Sequence, residues 1–253
     1  MRITRAVVPT LFTVLNMFCG LLSIVQASEG AFVNASYFIL LAGLFDALDG
    51  MMARLTKSSS QFGVEIDSLS DVVSFGAAPA FLVYKVHLHH YQEWGLIISS
   101  LLMIMGGIRL ARFNVQLVGF DKDYFTGLPI PSSAFAVVSY LLTFMVDGQR
   151  LEGTAAVMLA PLCVALSLIM VSKIKYDTLP KLSSKELRKH PVRTISFVFS
   201  LLLILFTKGE ALFYLFALFI LFGAARSAYY WLVPSAQPVR TQPEEAGTPS
   251  YDI

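Results

Sequence analysis

The chain has 253 residues, of which 56% are hydrophobic and 14% charged, with a mean hydropathy of +0.67. A soluble domain carries about 25% charged residues, so this composition excludes one and indicates a polytopic membrane protein. The net charge of +2 gives no basis for a nucleic-acid partner, and the apolar stretches leave no room for a separate soluble domain.

The chain starts Met1-Arg-Ile-Thr-Arg5 and runs straight into an apolar segment. That segment is long and lacks a convincing small-residue cleavage site, so it reads as a retained first span. Eight segments have the length and apolarity of a bilayer-crossing helix: Val7–Ala27, Phe32–Ala53, Ser68–Val86, Trp94–Phe113, Pro131–Val146, Thr154–Ser172, Val192–Phe206 and Ala211–Val233. Both cysteines, Cys19 and Cys163, lie within such segments and read as small buried hydrophobes. With eight spans, sixteen of the nineteen Lys and Arg fall on one side, leaving Lys85, Arg150 and Lys208 on the other. The positive-inside rule then predicts a multi-pass inner-membrane protein with both termini cytoplasmic. Residues 1–233 form the expected transmembrane catalytic domain, with its core over about 7–181. Residues 234–253, rich in Pro, Gln, Glu and Ser, read as a disordered cytoplasmic tail.

The second and third spans carry four aspartates within 26 positions. The frame is Asp46-x-x-Asp49-Gly50-x-x-Ala53-Arg54, eight residues, then Gly63-x-x-x-Asp67-x-x-x-Asp71. A carboxylate beside hydrocarbon is costly and marks a functional site. Residues three and four apart share a helix face, so each span presents a pair of carboxylates on one stripe. The stretch from Arg54 to Ile66 is long enough to turn and bring the pairs together. Four converging oxygen donors suit Mg²⁺ or Mn²⁺. Gly50 and Ala53 leave space for a bulky ligand to approach the backbone. Arg54 offers a planar fork to phosphate oxygens, and Gly63 permits a tight turn before Asp67. Solvated caps or salt bridges at helix ends would explain any one of these charges, but not their recurrence at helical spacing in neighbouring spans. A divalent-cation transporter would explain the carboxylates, but gives no reason for Gly50, Ala53 and a permanent cation at Arg54.

This frame matches, position for position, the signature of the CDP-alcohol phosphatidyltransferases, and the chain resembles that family. The resemblance implies an all-α membrane enzyme with a six-helix core, here followed by two C-terminal helices, that displaces CMP from a CDP-linked lipid with an alcohol. It implies two metal ions, one held by Asp46, Asp49 and Asp67, the other by Asp46, Asp67 and Asp71. Asp71 would also be the general base, while Gly50, Ala53 and Arg54 would hold the cytidine diphosphate. It further makes a homodimer plausible.

Other segments bear on the acceptor. They are Pro9–Asn16, Asp67–Ala80, Arg109–Asn114, Phe125–Pro131 and Val171–Tyr176. Together they resemble the serine-accepting members of the family, which implies transfer from CDP-diacylglycerol to L-serine, giving phosphatidylserine and CMP. Glycerol 3-phosphate or inositol phosphate are the alternative acceptors. Pro9, Thr13, Asn16 and Gly20 form one small, polar helix face, which suits either the nucleotide pocket or close helix packing. Arg109 and Arg112 share a face at the end of the fourth span. They can hold the serine carboxylate or a lipid phosphate, or simply anchor the helix, with Asn114 as a neutral partner nearby. Gly127–Pro131 reads as a rigid re-entry turn. Lys173 and Lys175 open a basic segment reaching Arg193, which can contact phosphate and membrane lipid head groups, or act only as a topology determinant. His87, His89 and His90 fall on the side away from the aspartates and read as a solvated loop.

Overall fold

The computed structural model describes residues 7–56, 61–117, 124–172, 174–177 and 211–232. The expected span Val192–Phe206, Lys173 and the 234–253 tail lie outside these residues.

The fold is a helical bundle. Helix α1 (Val7–Ser28) and helix α2 (Phe32–Thr56) form an antiparallel hairpin. Its turn is closed at Gly30, which has φ +80°. The Gly30 N–H donates to the Ala27 carbonyl and the Ala31 N–H to the Gln26 carbonyl. This pairing satisfies two end carbonyls of α1 and needs the left-handed conformation that glycine adopts freely.

A helical stretch, Gln61–Val86, runs through the middle of the bundle. It comprises α3 (Gln61–Asp71), a π-helical segment (Val72–Ala77) and α4 (Ala78–Val86). Its central position shows in burial: 56% of its apolar window is inside the protein, against 28–33% for the other long spans. In the π segment the Ala78 N–H donates to the Val73 carbonyl, five residues back. Pro79 follows directly. Its ring would crowd the carbonyl four residues earlier in a regular helix, and the wider turn takes up that crowding.

A short 3₁₀ turn (Leu88–Tyr91) leads into α5 (Gln92–Leu117). Strand β1 (Tyr124–Thr126), α6 (Ile130–Phe144), α7 (Gly153–Val171), β2 (Lys175–Asp177) and α8 (Ala211–Leu232) follow. Among the described residues, five helical stretches are long and apolar enough to cross a membrane, with shorter apolar helices at Ile130–Phe144 and Leu212–Gly223. Each of the seven expected spans within the described residues is helical, so the chain is an all-α polytopic membrane protein. One boundary differs materially. The third span starts at Gln61 rather than Ser68, because backbone hydrogen bonding continues through a polar turn that hydropathy does not register. Gly63 therefore sits inside α3 and makes no turn.

Small residues set the helix spacing, as expected where lipid supplies no hydrophobic drive for association. Gly43 lies under the Phe135 ring, Gly106 under Ile130, and Gly20 against Ser74. The Tyr140 hydroxyl donates to the Ala155 carbonyl at 2.6 Å, tying α6 to α7. Leu11, Val14, Phe18, Leu21 and Val25 form an exposed apolar stripe on α1, the face such a helix turns to lipid.

Beyond α5 the chain is clipped to the segment after α7. Strands β1 and β2 pair antiparallel, with Phe125 opposite Tyr176. The Gly127 N–H donates to the Ile174 carbonyl at 2.8 Å. Gly127 has φ +82°, and a Cβ there would run into the Met170 carbonyl. The re-entry turn expected at Gly127–Pro131 is thus present, and glycine is required on both counts. We predict that Gly127→Ala destabilises the protein by at least about 1–3 kcal/mol, the cost of a left-handed non-glycine residue alone. The midpoint of thermal unfolding in detergent measures this. Gly107→Ala, where a Cβ meets open space, should leave that midpoint in place.

Candidate active site

Asp46 of α2 and the i,i+4 pair Asp67 and Asp71 of α3 converge. Carboxylate oxygens of Asp46, Asp67 and Asp71 all lie within 4.8 Å of one another. Asp71 is buried, with 8% of its surface exposed, and its Oδ1 has no hydrogen-bond partner in the protein. Asp49 is equally buried. It stands outside that trio but close enough for its charge to act on Asp46 and Asp67. Its Oδ2 accepts a hydrogen bond from the Thr13 hydroxyl.

Helix α1 closes one side. Asn16 is fully buried beside Asp71, and neither its amide nitrogen nor its amide oxygen has a protein partner. The polar face expected on α1 packs closely, with Gly20 against the central helix, and its Thr13 and Asn16 face the aspartates.

Helix α5 closes another side. Arg109 is buried, with 5% exposure, and its positive charge acts on Asp71. Its guanidinium lies 5.7 Å from the centre of the Phe113 ring. Arg112, one turn on, has a different environment. It donates to the Val171 carbonyl at 3.0 Å and the Ser172 carbonyl at 3.4 Å, which engages it with the end of α7 and the clip beyond. Asn114 donates to the Ser68 hydroxyl at 2.9 Å and so links α5 to α3.

Of the other candidates, Gly50 has nothing within 4 Å of the place a Cβ would occupy, so that surface of α2 is open. Ala53 is half-buried one turn on, and Arg54 follows it in α2. Gly63 lies in α3, and Lys175 lies on β2. The sequence pattern does not single out Ser70 and Ser74. Their hydroxyls cross from the central helix to main-chain carbonyls of α1, a partnership that spacing within one helix cannot reveal.

The aspartates are the metal-competent group among the described residues. At the opposite end of the central helix the His90 ring lies against His89, with ring centres 4.0 Å apart, and meets His87 edge-on. Burial holds the His87 imidazole below its usual value, and its histidine neighbours push the same way. Hard carboxylate oxygens without histidine or cysteine suit Mg²⁺ or Mn²⁺ better than zinc. The unpartnered Asp71 Oδ1 is the kind of buried acceptor such an ion would satisfy.

A family model described as CDP-alcohol phosphatidyltransferase matches residues 6–169. The chain belongs to this family. It is 36% identical over 221 residues to the CDP-diacylglycerol–serine O-phosphatidyltransferase of Helicobacter pylori, covering 86% of this chain and 90% of that one. It is 41% identical over 170 residues to the archaetidylserine synthase of Methanothermobacter thermautotrophicus, covering 66% and 68% respectively. It is 33% identical over 180 residues to the CDP-diacylglycerol–serine O-phosphatidyltransferase of Bacillus subtilis, covering 71% and 95%. The matched region takes in the whole aspartate frame.

The geometry makes a direct prediction. Asp46→Asn and Asp67→Asn should each weaken Mn²⁺ binding by more than about tenfold, the loss typical of removing a mere outer-shell partner. Titration calorimetry of the purified protein reads this. Asp147→Asn, in an exposed turn, should leave the affinity unchanged.

Proposed function

We propose that this protein transfers the phosphatidyl group of CDP-diacylglycerol to the hydroxyl of L-serine, giving phosphatidylserine and CMP. The observation that carries the reading is the gathering of Asp46, Asp67 and Asp71 within 4.8 Å, in a chain aligned over 86% of its length with a serine transferase. The archaeal relative supports serine in particular, since its name too carries serine although its lipid differs.

Asp46, Asp67 and Asp71, with Asp49 steadied by Thr13, would hold two Mg²⁺ or Mn²⁺ ions. Such ions, when bound, neutralise the charge that builds on the phosphate oxygens and on the departing CMP. The open surface at Gly50, with Ala53 and Arg54 beyond it, receives the cytidine diphosphate. Arg109, a buried cation next to Asp71, receives the serine carboxylate and so brings the serine hydroxyl towards Asp71. The Asp71 carboxylate takes the hydroxyl proton as the serine oxygen forms its bond to the lipid-bearing phosphorus. The bond from that phosphorus to the CMP oxygen breaks, and CMP leaves with the electron pair. The Asn16 amide, buried beside Asp71, is placed to keep that carboxylate aimed. Lys173 and Lys175, after α7, add positive charge for lipid phosphate. The excess of Lys and Arg on one side supports placing this end of the bundle, and both termini, at the cytoplasmic face of the inner membrane.

The test is CMP release by purified protein with CDP-diacylglycerol and Mn²⁺ or Mg²⁺. L-serine, glycerol 3-phosphate and inositol phosphate are supplied one at a time. Release with serine alone, abolished by a chelator, is expected. Asp71→Asn should lower that rate by about 10²–10⁴-fold, the usual contribution of a general base, while still binding CDP-diacylglycerol. Release with a phosphorylated acceptor would overturn the serine assignment. Cation uptake into vesicles with no binding of CMP or CDP-lipid would favour a transporter instead.

A further inference from the structure

Two residues of α1 reach the aspartates with their side chains while the central helix holds their main chain. The Ser70 hydroxyl donates to the Thr13 carbonyl at 3.1 Å. The Ser74 hydroxyl donates to the Asn16 carbonyl at 2.8 Å. Ser70, Ser74 and Asn16 are fully buried, and Thr13 is 2% exposed. Resting on the function proposed above, we infer that Ser70 and Ser74 are positioning residues of the transfer reaction. They fix the height and rotation of α1, so that Thr13 meets Asp49 and Asn16 meets Asp71.

The contrast with other serines supports this. A helical serine usually bonds a carbonyl of its own helix, three or four residues back. Ser36, Ser68, Ser139 and Ser167 all do so here. Ser70 and Ser74 forgo that bond and cross to a neighbouring helix. Each uses the second lone pair of a carbonyl inside a helix. The two crossings run in the same order on both elements, three residues apart on α1 and four on the central helix. Gly20, one turn beyond Asn16, permits the approach: a Cβ there would stand 2.8 Å from the Ser74 Cα. The Asn16 amide makes no hydrogen bond within the protein. Its place beside Asp71 therefore depends on its main chain, and Ser74 holds that main chain.

A double-mutant cycle separates positioning from plain stability, because only residues acting through one another depart from additivity. Ser74→Ala should lower kcat for CMP release about tenfold, as loss of an orienting partner does, with little change in KM for CDP-diacylglycerol. In an Asn16→Ala background the same substitution should cause no further loss. Ser167→Ala, which removes a buried hydroxyl bonded within α7, should keep wild-type kcat. The parallel cycle of Ser70→Ala with Thr13→Val, read as Mn²⁺ affinity by calorimetry, gives the same test without turnover and serves if Ser74→Ala does not fold. Equal losses from the serine substitutions in both backgrounds, or no loss from either, would overturn the inference. If wild-type protein releases CMP with a different acceptor, the cycle is read with that acceptor. The serine assignment then falls, while the positioning roles stand or fall on the ratios.

Discussion

The arrangement depends on one unfavourable interaction, the crowding of carboxylates inside an apolar bundle. Two unit charges 4.8 Å apart repel by about 3.5 kcal/mol at an effective dielectric of about 20. Burial adds the loss of hydration for each ion. A fold that brings Asp46, Asp67 and Asp71 together therefore needs opposing charge. Arg109 supplies part of it from α5. A divalent cation is the natural source of the rest. Strain of this kind belongs at a site whose charges are completed by ligands.

The scaffold meets the demand through close helix packing. Gly20, Gly43 and Gly106 each accept a neighbouring helix or ring where a side chain would stand. Lipid does not drive helices together as water does, so this contact area and the crossing hydrogen bonds hold the bundle. The central helix is buried most deeply of the long spans, and it carries Asp67 and Asp71 on one stripe and Ser70 and Ser74 beside it. Two of the four carboxylates and the serines that hold α1 thus share one continuous helical stretch. The π segment directly after Asp71 lies where such turns often accompany function. It also lets the chain enter Pro79 without breaking the helix.

Much of this was legible in the sequence, for a physical reason. Carboxylates at i,i+3 and i,i+4 on adjacent spans have to share faces, so the frame from Asp46 to Asp71 announces the cluster. Glycine at Gly127, next to two prolines, announces a turn that other residues cannot make. What could not be read depends on contacts between helices. Gly63 was expected to turn, yet it lies within α3, because a helix continues through polar residues once its hydrogen bonds have started. Arg109 and Arg112 look equivalent on one face, but the first faces Asp71 while the second engages the carbonyls after Met170. Spacing along α5 contains no information about where α7 ends. Ser70 and Ser74 were invisible as site residues because their partners belong to another helix.

The most direct test of this account is the thermal unfolding midpoint in detergent, with chelator and with Mn²⁺, for the wild-type protein and Asp71→Asn. If mutual carboxylate repulsion relieved by a cation governs the site, Mn²⁺ raises the wild-type midpoint. The variant then matches or exceeds the wild type without cation and gains much less when Mn²⁺ is added. An unchanged wild-type midpoint, or a gain that survives intact in Asp71→Asn, would contradict it.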